Sequence, residues 1–99
     1  MPAYVIASVT DARDADKLAR YREGNTAAVE KHGGRFIARG GELETLEGDW
    51  PALRIVIMEF PDMDAARGWY ESDDYAPLRE LRQSASDTDI VVVEGVETG

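Results

Sequence analysis

The chain has no cysteine and a single histidine, His32, among its 99 residues. Without cysteine it can form no disulfide, no thiolate nucleophile and no cysteine-held metal or iron–sulfur centre. A lone histidine argues against a zinc site and leaves one possible haem ligand. We therefore expect a protein that needs no metal and no cofactor, and the absence of cysteine is compatible with a cytoplasmic location.

The chain also lacks a long apolar run and an excess of positive charge. No run approaches the roughly 18 residues that a membrane span needs, and Met1–Ile6 lacks the charged and long apolar regions of a signal peptide. The net charge of −9 repels phosphate backbones and anionic lipid. We expect a cytoplasmic protein that binds neither nucleic acid nor membranes.

Glycine, by contrast, is concentrated in one part of the chain, next to arginine and tryptophan. The sequence reads Gly33-Gly34-Arg35, then Arg39-Gly40-Gly41, and soon afterwards Leu46-Glu47-Gly48-Asp49-Trp50. Glycines this dense mark backbone that turns sharply or approaches another group closely. We take this glycine-rich corner as the best candidate for a ligand site, although it does not indicate a reaction.

Hydrophobic patterning predicts one domain over residues 1–99 with the element order β-α-β-β-α-β. Four runs rich in strand-forming residues are expected to be strands: Tyr4–Val9, Arg35–Arg39, Leu53–Phe60 and Asp89–Gly95. This order is the ferredoxin-like α+β arrangement, a four-stranded antiparallel sheet with helices on one face.

The helices are predicted from caps and from apolar residues at steps of three and four. The first helix should begin at an N-cap in Thr10-Asp11 and end at Gly33. Its apolar stripe is Leu18, Tyr21, Asn25, Ala28, Val29 and His32. Asp62 is expected to cap a second helix through Tyr70, and Ser72 to begin a further helical piece that reaches Ala85.

The predicted strands are apolar on both sides, which is unusual for an antiparallel sheet with one face in water. In the third strand Ile55 and Ile57 lie on one side, and Val56 and Met58 lie on the other. Two helical regions cannot cover both faces, so a second copy of the chain is the simplest cover. We expect a homodimer, which a charge at Met58 or Val56, whichever faces the partner, should disrupt.

An ordered set of residues along nearly the whole chain resembles the bacterial family known as domain of unknown function 1330. These are Gly33-Gly34-Arg35, Arg39-Gly40-Gly41, Leu46-Glu47-Gly48-Asp49-Trp50, Glu59-Phe60-Pro61, Ala66, Trp69-Tyr70, Ser72, Tyr75 and Glu94-Gly95-Val96. The resemblance implies a dimeric α/β barrel. Proteins of that superfamily include cofactor-independent monooxygenases, chlorite-dismutase-like haem proteins, muconolactone isomerases and stress-response barrels, so the resemblance implies a fold and a site location rather than one activity.

Arg35 and Arg39 are candidate ligand-binding residues because, four residues apart in a strand, they are expected to point to the same side. Two guanidinium groups in one row can hold a carboxylate or an enolate. The alternative is a pair of surface arginines that offset the acidic charge of the chain. Arg54, on the neighbouring strand, is expected to extend or neutralise the row.

His32 and Glu59 are the candidate catalytic residues. Histidine is the residue type whose unperturbed pKa lies near neutrality, so His32 can act as a general acid or base. Alternatively, it is a partly buried residue at a helix C-terminus, where the dipole favours a cation. Glu59 is the polar exception on an apolar strand face. It either pairs with an arginine or acts in a pocket, because burying an unpaired carboxylate is costly.

The aromatic candidates for ligand binding are Trp50, Trp69, Tyr70 and Tyr75. Adjacent Trp69 and Tyr70 cannot both point straight at the core, so one of them is expected to line a groove between helix and sheet. Packing in the core or at a dimer interface is the alternative for this set.

Two functional hypotheses remain open at this stage. One is a small cofactor-independent enzyme that acts on an aromatic or enolic acid in a cleft between sheet and helices. The other is a ligand-binding or stress-related homodimer without turnover. A titratable group facing an open cavity would favour the enzyme, whereas His32 outside an aromatic core would favour binding.

Overall fold

The computed structural model describes residues 1–96, so the last three residues of the predicted domain lie outside it. The elements are β1 (Ala3–Ala12), α1 (Ala15–Lys31), β2 (Arg35–Arg39), β3 (Arg54–Phe60), α2 (Met63–Glu71), α3 (Ala76–Ala85) and β4 (Ser86–Glu94). The four strands form one antiparallel sheet in the order β2-β3-β1-β4. The ferredoxin-like prediction is confirmed, with α2 and α3 as its two helical pieces.

The start of α1 differs from the prediction, because β1 continues beyond Val9. Its pairing with β4 extends to Asp11 and Ala12 after a register shift, so Thr10-Asp11 is strand and not a helix cap. Asp14 takes that role, since its carboxylate accepts a 3.0 Å hydrogen bond from the backbone N–H of Lys17. Long-range strand pairing therefore overrides the local capping signal.

Alanine substitutions of Asp14 and Asp11 distinguish experimentally between the two possible starts of α1. Asp14→Ala is expected to lower the free energy of unfolding by about 1 kcal/mol through loss of the cap. Asp11→Ala should stay within about 0.5 kcal/mol, because its ion pair with Arg13 is exposed and Arg13 keeps Asp87. Urea denaturation of both variants measures the difference, and equal losses would contradict this cap assignment.

The end of α1 follows the prediction from the first glycine pair. Gly33 has φ of +80°, and its N–H donates to the carbonyl of Glu30, which ends the helix as a left-handed glycine does. A Cβ on Gly34 would lie 2.6 Å from Phe60 and 2.8 Å from Val29. Gly34 therefore allows the chain to pass directly against the core as it enters β2.

The core lies between the helices and one face of the sheet. Val5 of β1 and Met58 of β3 are paired neighbours on this face, and both are almost fully buried. The largest buried side chains are Trp69, Tyr75, Phe60, Met58 and Val29. Val56 and Met58 thus face the helices, so a charge at either residue would disturb the core rather than a partner surface.

The opposite face of the sheet is apolar and uncovered. The side chains that alternate with the core residues are Tyr4, Ile6, Ile55, Ile57, Val91 and Val93. Val91 and Val93 are 57% and 50% exposed. We call this surface the open face, and the two-sided apolar pattern expected from the sequence is therefore present.

Within residues 1–96, no helix combines the length and the apolar character that crossing a bilayer requires.

Candidate functional site

A cavity of about 270 Å³ lies between the sheet and the N-terminal half of α1. For comparison, a dry apolar cavity of about 150 Å³ can hold benzene. Its lining residues are Ala7, Val9, Ala12, Ala15, Leu18, Tyr21, Arg22, Asn25, Phe36, Arg39, Leu53, Arg54, Val56, Met58, Arg82, Ser86 and Thr88. The walls are mostly apolar, so the cavity suits a small organic molecule with an apolar body.

The polar part of the cavity wall is strongly cationic. Arg22, Arg39, Arg54 and Arg82 all line it, and none of its lining residues is a carboxylate. Within residues 1–96 none of these four arginines forms an ion pair; the ion pairs present use Arg13, Lys31, Arg35 and Arg67 instead. A concentration of unpaired guanidinium groups in a chain of net charge −9 favours an anionic ligand at this place.

Arg39 is held in position by contacts with α1 and with its own strand. Its two terminal nitrogens donate to the hydroxyl of Thr26 at 2.9 Å and to the carbonyl of Arg22 at 2.7 Å. The guanidinium lies 3.8 Å above the ring centre of Phe36, a cation–π contact. Burial, and then the nearby charges of Arg54 and Arg22, lower the pKa of Arg39, as expected for cations gathered without a counterion.

The absence of a side chain at Gly40 allows Arg54 to lie near the other arginines of the cavity wall. Gly40 has φ of +71°, and a Cβ on it would lie 2.7 Å from the Cζ atom of Arg54. The guanidinium therefore lies directly against the glycine backbone. Burial, followed by the charge of Arg22, lowers the pKa of Arg54. The glycine pair predicts a close approach of another group to the backbone, and that group is the guanidinium of Arg54 on the neighbouring strand.

The predicted row of Arg35 and Arg39 is wrong, because a bulge in β2 separates them. Arg35 lies opposite Glu59, whereas Arg39 lies opposite Val56, with a register shift between Phe36 and Ala38. The extra residue sends the two arginines to opposite faces of the sheet. Arg39 enters the cavity, and Arg35 stands on the open face.

The two candidate catalytic residues lie outside the cavity. Glu59 is on the open face, where its carboxylate accepts a 3.0 Å hydrogen bond from Arg35, which is the ion-pair alternative. His32 follows the last residue of α1, and its Nδ1 lies 3.9 Å from the place that a Cβ on Gly68 would occupy. Its Nε2 is buried without a hydrogen-bond partner in the described part of the chain.

Two of the predicted aromatic residues lie in the core and form hydrogen bonds to residues of the cavity wall. Trp69 and Tyr75 pack in the core with ring centres 4.3 Å apart. The indole N–H of Trp69 donates to the side-chain carbonyl of Asn25 at 3.0 Å, and the hydroxyls of Tyr75 and Tyr21 are 2.8 Å apart. Since Asn25 and Tyr21 line the cavity, the buried aromatic residues position two of its polar groups.

The other two aromatic candidates lie elsewhere. Trp50 is 55% exposed, in the irregular segment between β2 and β3, and is absent from the cavity wall. Tyr70 is half-buried and, with Trp69, borders a second hollow of about 170 Å³ next to β4. The expectation that one of the adjacent pair lines a groove fits Tyr70, although the groove is not the arginine-lined cavity.

The cavity residues that were not among the sequence candidates include the larger polar side chains Tyr21, Arg22, Asn25 and Arg82. Asn25 did carry a signal, as a polar residue within the apolar stripe of α1, and it is 2% exposed. Arg82 also carried one, because it follows Leu78 by four residues and precedes Ala85 by three. A polar residue in phase with an apolar stripe is thus the pattern that finds this site.

The fold and the cavity together define a small ferredoxin-like α+β protein with a cationic site between sheet and helices. The chain belongs to the family described as "Domain of unknown function (DUF1330)", whose model matches residues 2–96. No curated protein matches the chain.

Solved structures share the fold at low sequence identity. RPA0582, of unknown function from Rhodopseudomonas palustris, is 20% identical with a TM-score of 0.75, and the match covers 97% of this chain and 83% of that one. SnoaB, a cofactor-independent oxygenase from Streptomyces nogalater, is 15% identical with a TM-score of 0.70 and coverages of 98% and 95%. A dimeric ferredoxin-like protein of unknown function from Jannaschia sp. CCS1 is 8% identical with a TM-score of 0.76 and coverages of 96% and 100%.

Proposed function

We propose that the protein is a homodimer that binds a small, partly apolar organic acid in the cavity between α1 and the sheet. The observation that carries this proposal is the convergence of Arg22, Arg39, Arg54 and Arg82 on a cavity with mostly apolar walls and no lining carboxylate. Guanidinium groups bind carboxylates through paired hydrogen bonds. An aromatic or enolic acid matches both the charge of the cavity and its apolar walls.

The proposal of a homodimer is based on the open face of the sheet. Its isoleucine and valine side chains leave an exposed apolar surface on a sheet whose other face is covered by the helices. Structural neighbours from Jannaschia sp. CCS1 and Thermobifida fusca are described as dimeric ferredoxin-like proteins. Packing two open faces together would bury the apolar side chains of both sheets, and we expect about 1,600 Å² or more in total.

Binding is the better supported of the two functions, because the lining residues include no imidazole and no carboxylate that could serve as a general base. Tyr21 is the titratable neutral group at the wall. Burial, then the neighbouring Tyr75, raises the pKa of Tyr21, so its hydroxyl stays protonated at neutral pH and acts as a hydrogen-bond partner.

Cofactor-independent catalysis is the second candidate, and the Asn25–Trp69 and Tyr21–Tyr75 hydrogen bonds favour it. They hold an amide and a hydroxyl rigidly at the cavity wall, next to cations that would stabilise an enolate. One structural neighbour is described as a cofactor-independent oxygenase. Since His32 and Glu59 lie outside the cavity, an enzyme of this kind would draw on Tyr21, Asn25 and the arginines.

The binding proposal predicts different effects for the two arginines of β2. Calorimetric titration with benzoate, cinnamate and phenylpyruvate should give at least one ligand whose affinity falls roughly 10–150-fold in Arg39→Gln, since a charged hydrogen bond is worth about 1.5–3 kcal/mol. Arg35→Gln is the matched control on the open face and should change that affinity less than about twofold. Equal effects in the two variants, or no binding by any of the three acids, would refute the cavity assignment.

A further inference from the structure

Arg82 is a buried cation for which the described protein supplies no counterion. Only 6% of the residue is exposed, and its Nε has no hydrogen-bond partner in residues 1–96. None of the ion pairs within these residues includes it. It stands in the last turn of α3, where the helix dipole favours a cation. A dipole does not replace a carboxylate, however, and a buried charge without a partner is costly.

Hydrogen bonds at the junction of α3 and β4 fix the backbone of Arg82 beside the cavity. The hydroxyl of Ser86 donates a 3.1 Å hydrogen bond to the carbonyl of Arg82, which joins the end of α3 to the start of β4. Ser86 also shares a 2.9 Å hydrogen bond with Thr88. Arg82, Ser86 and Thr88 all border the cavity, so the guanidinium, whose Nε lacks a partner in residues 1–96, belongs to its wall.

Arg82 stands on the opposite side of the cavity from the other arginines. Arg54 of β3 pairs with Val9 of β1, and Val9 pairs in turn with Thr88 of β4. Arg54 and Thr88 are therefore at one level of the sheet, two strand spacings of about 4.8 Å apart. Arg39 lies one strand further away, on β2. The cavity thus has positive charge over the β2–β3 side and again over the β1–β4 side.

The electrostatic neighbours agree with two separate cationic regions. Arg54 and Arg22 lower the pKa of Arg39, and Arg82 is not among the causes of that shift. Arg82 instead acts on Tyr21, where its charge opposes the rise in pKa caused by burial. Tyr21 also raises the pKa of Arg39, so its hydroxyl lies between the two regions. The aliphatic side chains of Val9 and Val56 line the floor of the cavity.

We propose that the natural ligand is a dianion with acidic groups at both ends of a rigid apolar body, such as an aromatic dicarboxylic acid. Arg39 and Arg54 bind one acidic group, and Arg82 binds the other and gains the counterion that the protein does not provide. This inference rests on the proposed function, since it assumes that the cavity binds organic acids, and it adds the number and spacing of the charges.

The test compares pairs of ligands that differ in one charge. The protein is titrated with phthalate, isophthalate and terephthalate. It is also titrated with the three methylbenzoates in which a methyl group replaces one carboxylate, and all titrations are made at constant ionic strength. At least one dicarboxylate should bind the wild-type protein tenfold or more tightly than its methyl partner. The isomer with the largest ratio reports the spacing between the two cationic regions.

The variant Arg82→Met tests whether Arg82 causes the preference for the dicarboxylate. This variant should lose the preference for the dicarboxylate and keep the affinity for the methylbenzoate within about threefold of the wild type. Arg82→Lys should retain part of the preference, because the charge remains and the guanidinium fork is lost. In the absence of ligand, the thermal midpoint of Arg82→Met should be unchanged or higher, since an unpaired buried charge has been replaced by an apolar chain of similar length.

The outcomes separate this inference from the proposed function. If methylbenzoates and dicarboxylates bind the wild type equally, or if Arg82→Met weakens both equally, the dianion is wrong while acid binding stands. If no acid binds the wild type, both are wrong. Should Arg82→Met fail to fold, Arg82→Gln takes its place because it removes the charge and keeps a polar side chain, and a ratio of the two affinities equal to that of the wild type would overturn the role of Arg82.

Discussion

Replacing Trp69 with alanine is expected to lower the free energy of unfolding by about 3–5 kcal/mol. Trp69 is 1% exposed and packs on Phe60 and Tyr75, with ring centres 5.5 and 4.3 Å away. Its removal leaves a large cavity in the core and a buried Asn25 carbonyl without its donor. In a domain of this size the loss corresponds to a fall in Tm of more than about 12 °C.

The chain provides a matched control in its other tryptophan. Trp50 is 55% exposed in an irregular segment, so Trp50→Ala should change stability by less than about 0.5 kcal/mol. Trp69→Phe keeps most of the packing and loses the hydrogen bond to Asn25, which predicts a loss of about 1–3 kcal/mol. Thermal and urea unfolding at one protomer concentration measures all three variants. Similar losses for Trp50→Ala and Trp69→Ala would contradict the assignment of Trp69 to the core.

Ile57→Asp is expected to convert the proposed homodimer into a monomer. Ile57 lies on the open face between Ile6 of β1 and Ala38 of β2, which are its partners across the sheet. Two-fold symmetry would place two new carboxylates in one apolar interface, where neither has a counterion. Light scattering at micromolar concentration should give the dimer mass for the wild type and the monomer mass for the variant.

A charge on the helical side distinguishes interface loss from general destabilisation. Ala19 is exposed on α1, so Ala19→Asp should leave the dimer mass unchanged. The circular dichroism of Ile57→Asp should retain the helical signal, because the substitution is outside the core. A wild-type protein that is monomeric with an intact fold would refute the homodimer, and so would an Ile57→Asp variant that stays dimeric.

Much of the fold is encoded locally and can be predicted from the sequence. The bounds of β2 agree with the prediction, and Gly33 ends α1 because its left-handed conformation suits glycine. Asp62 caps α2 by accepting a hydrogen bond from the backbone of Ala65. Each of these features depends on residues within one turn of the chain, so pattern and chemistry agree.

The candidate site was only partly predictable, since its geometry depends on pairing between distant strands. The bulge in β2 shows itself only in the register against β3, and nothing in Arg35–Arg39 itself marks it. The pairing of Asp11 with Asp87 of β4 likewise extends β1 through the predicted cap. Arg82 was overlooked because a charged residue near a helix end is usually solvated, although its phase with Leu78 pointed inward.

The bulge in β2 also bears on how roles can be transferred between relatives. One additional residue at Ile37 decides that the guanidinium of Arg39 enters the cavity instead of the open face. A homologue with the same number of residues between Phe36 and the arginine, but with a regular β2 that lacks the bulge, would therefore place that arginine on the open face. An arginine at the aligned position therefore indicates a shared cavity only when the register of β2 against β3 is also the same.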